Sequence, residues 1–281
     1  MLSEYKNRIN QLIIDFIANL RARHGRDNQM IDMIEYALIN DSKKLRSIII
    51  LIVGEILGLS LDDLKNYLLA VEITHTYTLV HDDLPALDND DYRRNKLTAH
   101  KKFGEANAIL LGDTMQTLAF ELISEQNPKF SCEKTMQIIN FFAKTIGGLE
   151  GVIFGEFLDI NYKLDNINEL KKIHLYKTAV FFEFCLSLCP KLISNNNDLI
   201  ASFSNLGTNY GLVFQLIDDY DDFGKTVKNE PNICNMMQKD ELHNLYNQLL
   251  SSIYDDIKKI EEFLPQKILQ EFVDSTIIIN I

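Results

Sequence analysis

Apolar residues three and four apart recur along nearly the whole chain, while the every-second-residue alternation of a half-buried strand is almost missing. The stretch "YKNRINQLIIDFIANLRAR" puts Ile9, Leu12, Ile13, Phe16, Ile17 and Leu20 on one stripe, the pattern of a helix with one buried face. "LRSIIILIVGEILGL" is apolar almost all round, as a central buried helix would be. Segments 62–82, 103–125, 133–160, 169–188, 198–223, 240–263 and 265–278 are further helical candidates. Only five prolines and twelve glycines interrupt 281 residues, and no Pro/Ser/Gly-rich linker divides them. The expectation is one all-α domain over residues 1–281, with about ten or more mostly antiparallel helices.

One stretch strains that reading. In "AKTIGGLEGVIFGEFLD" (143–159), each glycine inside a helix would cost roughly 1 kcal/mol against alanine. Gly148, Gly151 and Gly155 fall on one helical face, which points to close helix packing, to a wall that leaves room for a ligand, or to both.

Composition narrows the function classes. A net charge of −12 disfavours nucleic acid, which needs Lys and Arg in excess, but leaves phosphorylated ligands open if a divalent metal brings them to acidic residues. The longest apolar run, Ile48–Val53, is too short to span a bilayer, and the opening residues, which carry an acid and turn amphipathic, are not expected to act as a signal peptide. Four cysteines (Cys132, Cys185, Cys189, Cys234) show no metal or disulfide spacing, so a reducing cytoplasm is the expected compartment.

Two acidic clusters carry the chemistry. "VHDDLPALDNDDYRRN" packs five aspartates into positions 82–91, directly after an apolar helix, and Pro85 must break that helix. "FQLIDDYDD" repeats the arrangement with Asp218 and Asp222 four apart on one helical face. Crowded carboxylates are unfavourable without a partner, and hard oxygen ligands of this kind suit Mg²⁺ better than zinc, which would want His and Cys nearby. His81-Asp82 with His75 matches two residues of the HD-type phosphohydrolases, but the only earlier histidine is His24, on a polar segment.

These clusters, with "KKLR" at 43–46, "THTYTLVHDDLPALDNDDYRR", "KFGEANAILLGDTMQTLAF", "GEFLD" and "YKTA" in the same order, resemble the trans-isoprenyl diphosphate synthase family over about Tyr36–Asp222. The detailed pattern is similar to the bacterial farnesyl diphosphate synthases. The resemblance implies the isoprenoid synthase fold, helices around a central apolar cavity, and head-to-tail transfer of an allylic diphosphate (dimethylallyl or geranyl) to isopentenyl diphosphate. It implies two or three Mg²⁺ ions held by Asp82, Asp83 and Asp88 on one side and Asp218 with Asp222 on the other. Arg93 and Lys177 would touch the allylic diphosphate, while Thr178 and Gln215 would place oxygens near the developing carbocation. Lys43, Arg46, His75 and Arg94 would hold isopentenyl diphosphate through charge pairing. His81 is expected in the core or behind the ligands, and Phe103, Phe120, Phe181, Phe182 and Phe214 are candidate cavity linings.

The resemblance also implies a homodimer and places chain-length control at Tyr77, five residues before Asp82, favouring a fifteen-carbon product. A geranylgeranyl diphosphate synthase and a non-catalytic partner subunit of another synthase are the alternatives. The sequence departs from the family at Asp41-Ser42, where Gly-Gly is usual, at Glu156 in place of Gln, and at a C-terminus without a basic tail. The segment after Asp222 is short, and Lys225 and Lys228 are the candidates for its diphosphate-closing lysines.

Overall fold

Most of the expected helices form, α2 and α5 are added to them, and several helix starts follow local capping chemistry. In a computed structural model describing residues 1–161, 166–223 and 232–278, the described residues divide into two compact units, residues 1–51 with 59–129 and residues 52–58 with 130–281. In the first unit, α1 (Leu2–His24) buries Ile9, Ile13, Phe16, Ile17 and Leu20, and α2 (Gln29–Leu38) starts where the Asn28 side chain accepts the Met30 and Ile31 N–H groups. α3 (Leu45–Ile56), which belongs to this unit only as far as Leu51, is buried from Ile48 to Val53. α4 (Leu61–Asp82) opens with a reciprocal cap, since Asp63 N–H donates to Ser60 Oγ while the Asp63 carboxylate accepts Ser60 N–H. After a hairpin of β1 (Tyr92–Arg93) and β2 (Lys96–Leu97) come α5 (Ala99–Phe103) and α6 (Glu105–Ser124), the latter packed along α4.

The second unit holds α7 (Cys132–Ile146), α8 (Val152–Ile160), α9 (Ile167–Ile173), α10 (Val180–Ile193), α11 (Asn197–Asp222), α12 (Lys239–Phe263) and α13 (Ile268–Ile277). α11 is its spine, packed against both α10 and α12. Between α9 and α10 the helix does not stop but widens into a π-turn over His174–Ala179. Phe182, fully buried, tilts against Tyr210 and Phe214 at 5.0 and 5.1 Å between ring centres, so it belongs to this core.

Among the described residues the strands are confined to that hairpin, and no helix is long and apolar enough to cross a membrane. The single helix expected over 133–160 is corrected. α7 ends at Ile146 and α8 begins at Val152, with the glycine-rich 147–151 forming the connection. A Cβ on Gly151 would lie 2.3 Å from the carbonyl oxygens of Lys144 and Thr145, so the glycine serves a tight reversal there. Lys225, Lys228 and the last three residues lie outside the described residues.

Candidate active site

The first acidic cluster is a turn rather than a helix face. Pro85 ends α4, and the chain curls back so that Asp88 N–H donates to the Asp82 carbonyl at 2.9 Å and Asn89 N–H to the Leu84 carbonyl at 3.1 Å. Asn89 adopts a left-handed conformation (φ 54°) to complete the reversal. Asp82 and Asp88 stay half-exposed while Asp83 is buried, at 3% exposure. Arg93 donates to Asp83 Oδ1 through both Nε (2.7 Å) and Nη2 (2.6 Å). Burial pushes the Asp83 carboxyl pKa up, and Arg93 only partly opposes this.

Arg94 and Asn95 take the two positive-φ positions (50° and 62°) of the hairpin turn, the left-handed pair that matches the twist of the flanking strands. The hairpin is held to α2 by Tyr36, whose hydroxyl donates to the Leu97 carbonyl at 2.8 Å, and by Lys96, which donates to the Ile39 carbonyl at 2.9 Å. Arg94 Nη1 reaches Asn40 Oδ1 at 2.8 Å. Asn40, Thr76, Asp83, Arg93 and Arg94 line a cavity of about 60 Å³, room for little more than water.

Four cations act electrostatically on His75. Burial, together with Arg46, Arg94, Lys44 and Arg93, drives its pKa well below the ordinary histidine value and keeps the ring neutral at pH 7. Three of the four residues expected to bind isopentenyl diphosphate therefore share one field: His75, Arg46 and Arg94. Lys43, the fourth, is exposed.

Sequence reasoning missed Lys44. Its side chain is 1% exposed and paired with Glu72 at 3.1 Å, and Glu72 also accepts the Ser47 hydroxyl at 2.8 Å. Lys44 stands at φ 54° immediately before α3, so the buried pair anchors the chain between Lys43 and Arg46. Asp41, an acid where glycine is usual in the family, is paired with Lys6 at 2.6 Å and has its pKa lowered by it. His81, expected in the core or behind the ligands, is half-buried rather than a core residue. Its ring lies against Gly112 of α6, where a Cβ would come within 1.9 Å, and Nε2 is 3.2 Å from the Ile109 carbonyl. Tyr77 is 2% exposed, accepts a long bond from Gln116 Nε2 at 3.4 Å, and is pushed by burial to a pKa of about 12.

The second cluster continues a helix. Asp218 and Asp222 are exposed at the end of α11, and Asp219 between them is buried at 6% exposure. Thr178 donates from Oγ1 to Gln215 Oε1 at 2.7 Å, and Gln215 Nε2 donates to Asp219 Oδ1 at 3.0 Å. Asp219 Oδ2 accepts Ile233 N–H at 2.8 Å and lies 3.3 Å from His174 Nε2.

Lys177 bridges Asp159 (2.5 Å) and Glu156 (2.8 Å) of α8. Burial alone would lower its pKa, but the two carboxylates outweigh that and the net shift is upward. This reach depends on Gly155, where a Cβ would fall 2.1 Å from the Lys177 backbone nitrogen. The Glu156 departure thus puts a second acid on Lys177.

Among the described residues no three His, Cys, Asp or Glu side chains converge tightly enough to hold a metal by themselves. Asp82 and Asp88, half-exposed, and Asp218 and Asp222, exposed, each present hard oxygen donors of the kind Mg²⁺ takes together with phosphate oxygens and water.

Oxygen donors of this kind, and cations like those acting on His75, are chemistry suited to phosphorylated ligands. The sequence model of the polyprenyl synthetase family matches residues 27–266, and the chain belongs to that family. It is 33% identical over 275 residues to the farnesyl diphosphate synthase of Micrococcus luteus, covering 93% of this chain and 91% of the relative. To the farnesyl diphosphate synthase of Buchnera aphidicola subsp. Schizaphis graminum it is 35% identical over 229 residues, 80% of this chain and 76% of the relative. Its fold is similar to that of a geranyltransferase from Legionella pneumophila, with TM-score 0.85, 26% identity and coverage of 98% and 96% of the two chains.

Proposed function

We propose that this protein condenses an allylic diphosphate, dimethylallyl or geranyl, head-to-tail with isopentenyl diphosphate, making farnesyl diphosphate and releasing diphosphate. The observation that carries this is the contrast between two kinds of anion-handling group. Outward aspartates suit a diphosphate held through metal, and the cations acting on His75 suit one held directly. The first must leave and the second must stay. Asp82, Asp83, Asp88, Asp218 and Asp222 are the proposed Mg²⁺ ligands; bound there, the metal would neutralise charge developing on the departing diphosphate. Arg93 and Lys177 contact that leaving group, and each already sits beside carboxylates that hold it in place. Lys43, Arg46, His75 and Arg94 bind isopentenyl diphosphate, while Thr178 and Gln215 direct oxygens to the allylic cation. In this reading residues 1–281 act as one domain, and the chain works as a homodimer.

Tyr77 is the proposed end-stop. It stands five residues before Asp82 on α4, about 7–8 Å back along the axis, with its ring buried and its hydroxyl tied to Gln116. Purified protein given Mg²⁺, labelled isopentenyl diphosphate and each allylic starter should make the fifteen-carbon product, and Tyr77→Ala should shift it toward twenty carbons or more. A wild type that makes no prenyl diphosphate overturns the reading. Unchanged products from Tyr77→Ala remove only the end-stop.

A further inference from the structure

Asp219 lies between two proposed metal ligands yet faces the other way, into the protein. Its carboxylate is buried and meets three nitrogens: Gln215 Nε2 at 3.0 Å, Ile233 N at 2.8 Å and His174 Nε2 at 3.3 Å. A carboxylate has no proton to offer, so Gln215 must present its NH₂ to it. An amide so turned sends Oε1 the opposite way, to Thr178 Oγ1 at 2.7 Å. Two oxygens that close share one hydrogen, and only the threonine has one to give. The direction of each hydrogen in the series Thr178–Gln215–Asp219 is therefore set at its buried end.

We infer that Asp219 is a positioning residue that fixes the polarity of Thr178 and Gln215, so that both present oxygen lone pairs to the allylic carbon skeleton as it becomes cationic. The inference rests on the proposed prenyl transfer. When the allylic C–O bond breaks, the electron pair leaves with the diphosphate and the carbon fragment is left positive. Dipoles already oriented for that charge stabilise it without reorganising, whereas an amide free to flip would turn N–H toward it half the time. The backbone protects the arrangement. Gly211 brings α11 so close to the π-turn that a Cβ there would fall 2.5 Å from Ala179 Cα, and Asn232 Nδ2 donates to the Asp219 carbonyl at 2.6 Å.

Asp219→Asn tests this with an isosteric side chain. The Asn oxygen keeps the Ile233 and His174 contacts, its NH₂ replaces the acceptor facing Gln215, and the Gln215 amide must turn over. Two ligands read the result, each with Mg²⁺: an ammonium analogue of the dimethylallyl cation bound with inorganic diphosphate, and the uncleavable dimethylallyl thiolodiphosphate. Affinity for the cation analogue should fall about 10- to 100-fold, kcat should fall with it, and the thiolodiphosphate should change less than about threefold. The double variant Asp219→Asn/Gln215→Glu restores an acceptor for Thr178 and a partner for the Asn NH₂, so the cation analogue should regain wild-type affinity. It also supplies the test if the single variant does not fold.

Equal losses for both ligands would place Asp219 in the metal site or the fold alone, and no loss for either would remove its role. Either result overturns the inference, as does failure of the double variant to recover. A wild type that makes no prenyl diphosphate would instead sink the functional reading itself.

Discussion

The two aspartate pairs look alike in the chain and are built differently. Asp82-Asp83 ends a helix at a proline turn, and Asp218-Asp219 sits within a continuous one. In both, the first aspartate is turned toward solvent and the second is buried. The struts differ. Asp83 is met by a guanidinium that is itself a proposed substrate contact, and Asp219 by an amide, a backbone N–H and an imidazole that belong to the scaffold. In each pair the second carboxylate is thus braced from behind, Asp83 as a proposed ligand in its own right and Asp219 as part of the frame alone. The frame of the first pair is tied to the substrate's charge and that of the second is not.

The largest expected effect tests the shared half of this comparison. Asp82→Ala and Asp218→Ala should each lower turnover by about a thousandfold or more, as EDTA should until Mg²⁺ is restored. Melting temperatures of both should stay near wild type, because removing crowded exposed charge does not harm the apo fold. Near-native rates in both variants would end the two-cluster mechanism.

The buried halves should part company in stability. Asp219→Ala leaves three donors in the interior without their acceptor and should cost about 2–4 kcal/mol in urea unfolding. Asp83→Ala should cost about 1 kcal/mol or less, since burial already works against its charge and Arg93 can turn to water. Equal costs would mean the two struts are equivalent after all.

A smaller effect concerns an acid that is neutralised at the surface. Lys6→Ala should unmask Asp41 and raise KM for isopentenyl diphosphate by up to about fivefold, the scale of an exposed pair. Asp41→Gly in that background should reverse the rise, and Asp41→Gly alone should do little. A selective change in the allylic KM would show the two substrate sites to be assigned the wrong way round.

The smallest is a control far from either cluster. Asp63, bonded by Lys129 and the Ser60 backbone, has its pKa lowered to about 2. A depressed carboxyl adds stability above its ordinary value near 3.8, and that stability is lost as pH falls toward 2. The gap in melting temperature between wild type and Asp63→Asn should accordingly be widest above about pH 5 and close on acidification. A gap independent of pH would reduce Asp63 to its hydrogen bonds.

Helix positions were legible because burial repeats with the helical period; α4, α11 and α12 begin and end within a residue or two of their apolar stripes. The glycine segment was misread because glycines three and four apart suit a helix face as well as a reversal. Candidate ligands were legible from residue type and order, but not the division inside each Asp-Asp pair, since that depends on which neighbour lies behind the helix. Lys44 illustrates the same gap, as nothing local distinguishes it from Lys43, and its partner Glu72 is on another helix. Lys6 and Asp41 meet across 35 residues with no pattern to announce them.

The π-turn at His174–Ala179 carries one residue more than an α-helix would need over the same rise. Deleting any single residue there would give a regular helix with no hydrogen bond lost, yet would rotate everything on one side by about 100° relative to the other. Lys177 would swing off Asp159, or Thr178 off Gln215, and the buried residues of α9 or α10 would turn out of register with their packing partners. For an engineer shortening or smoothing this chain, that makes the irregular turn a place to leave alone, because its extra residue sets the phase between the two helices it joins.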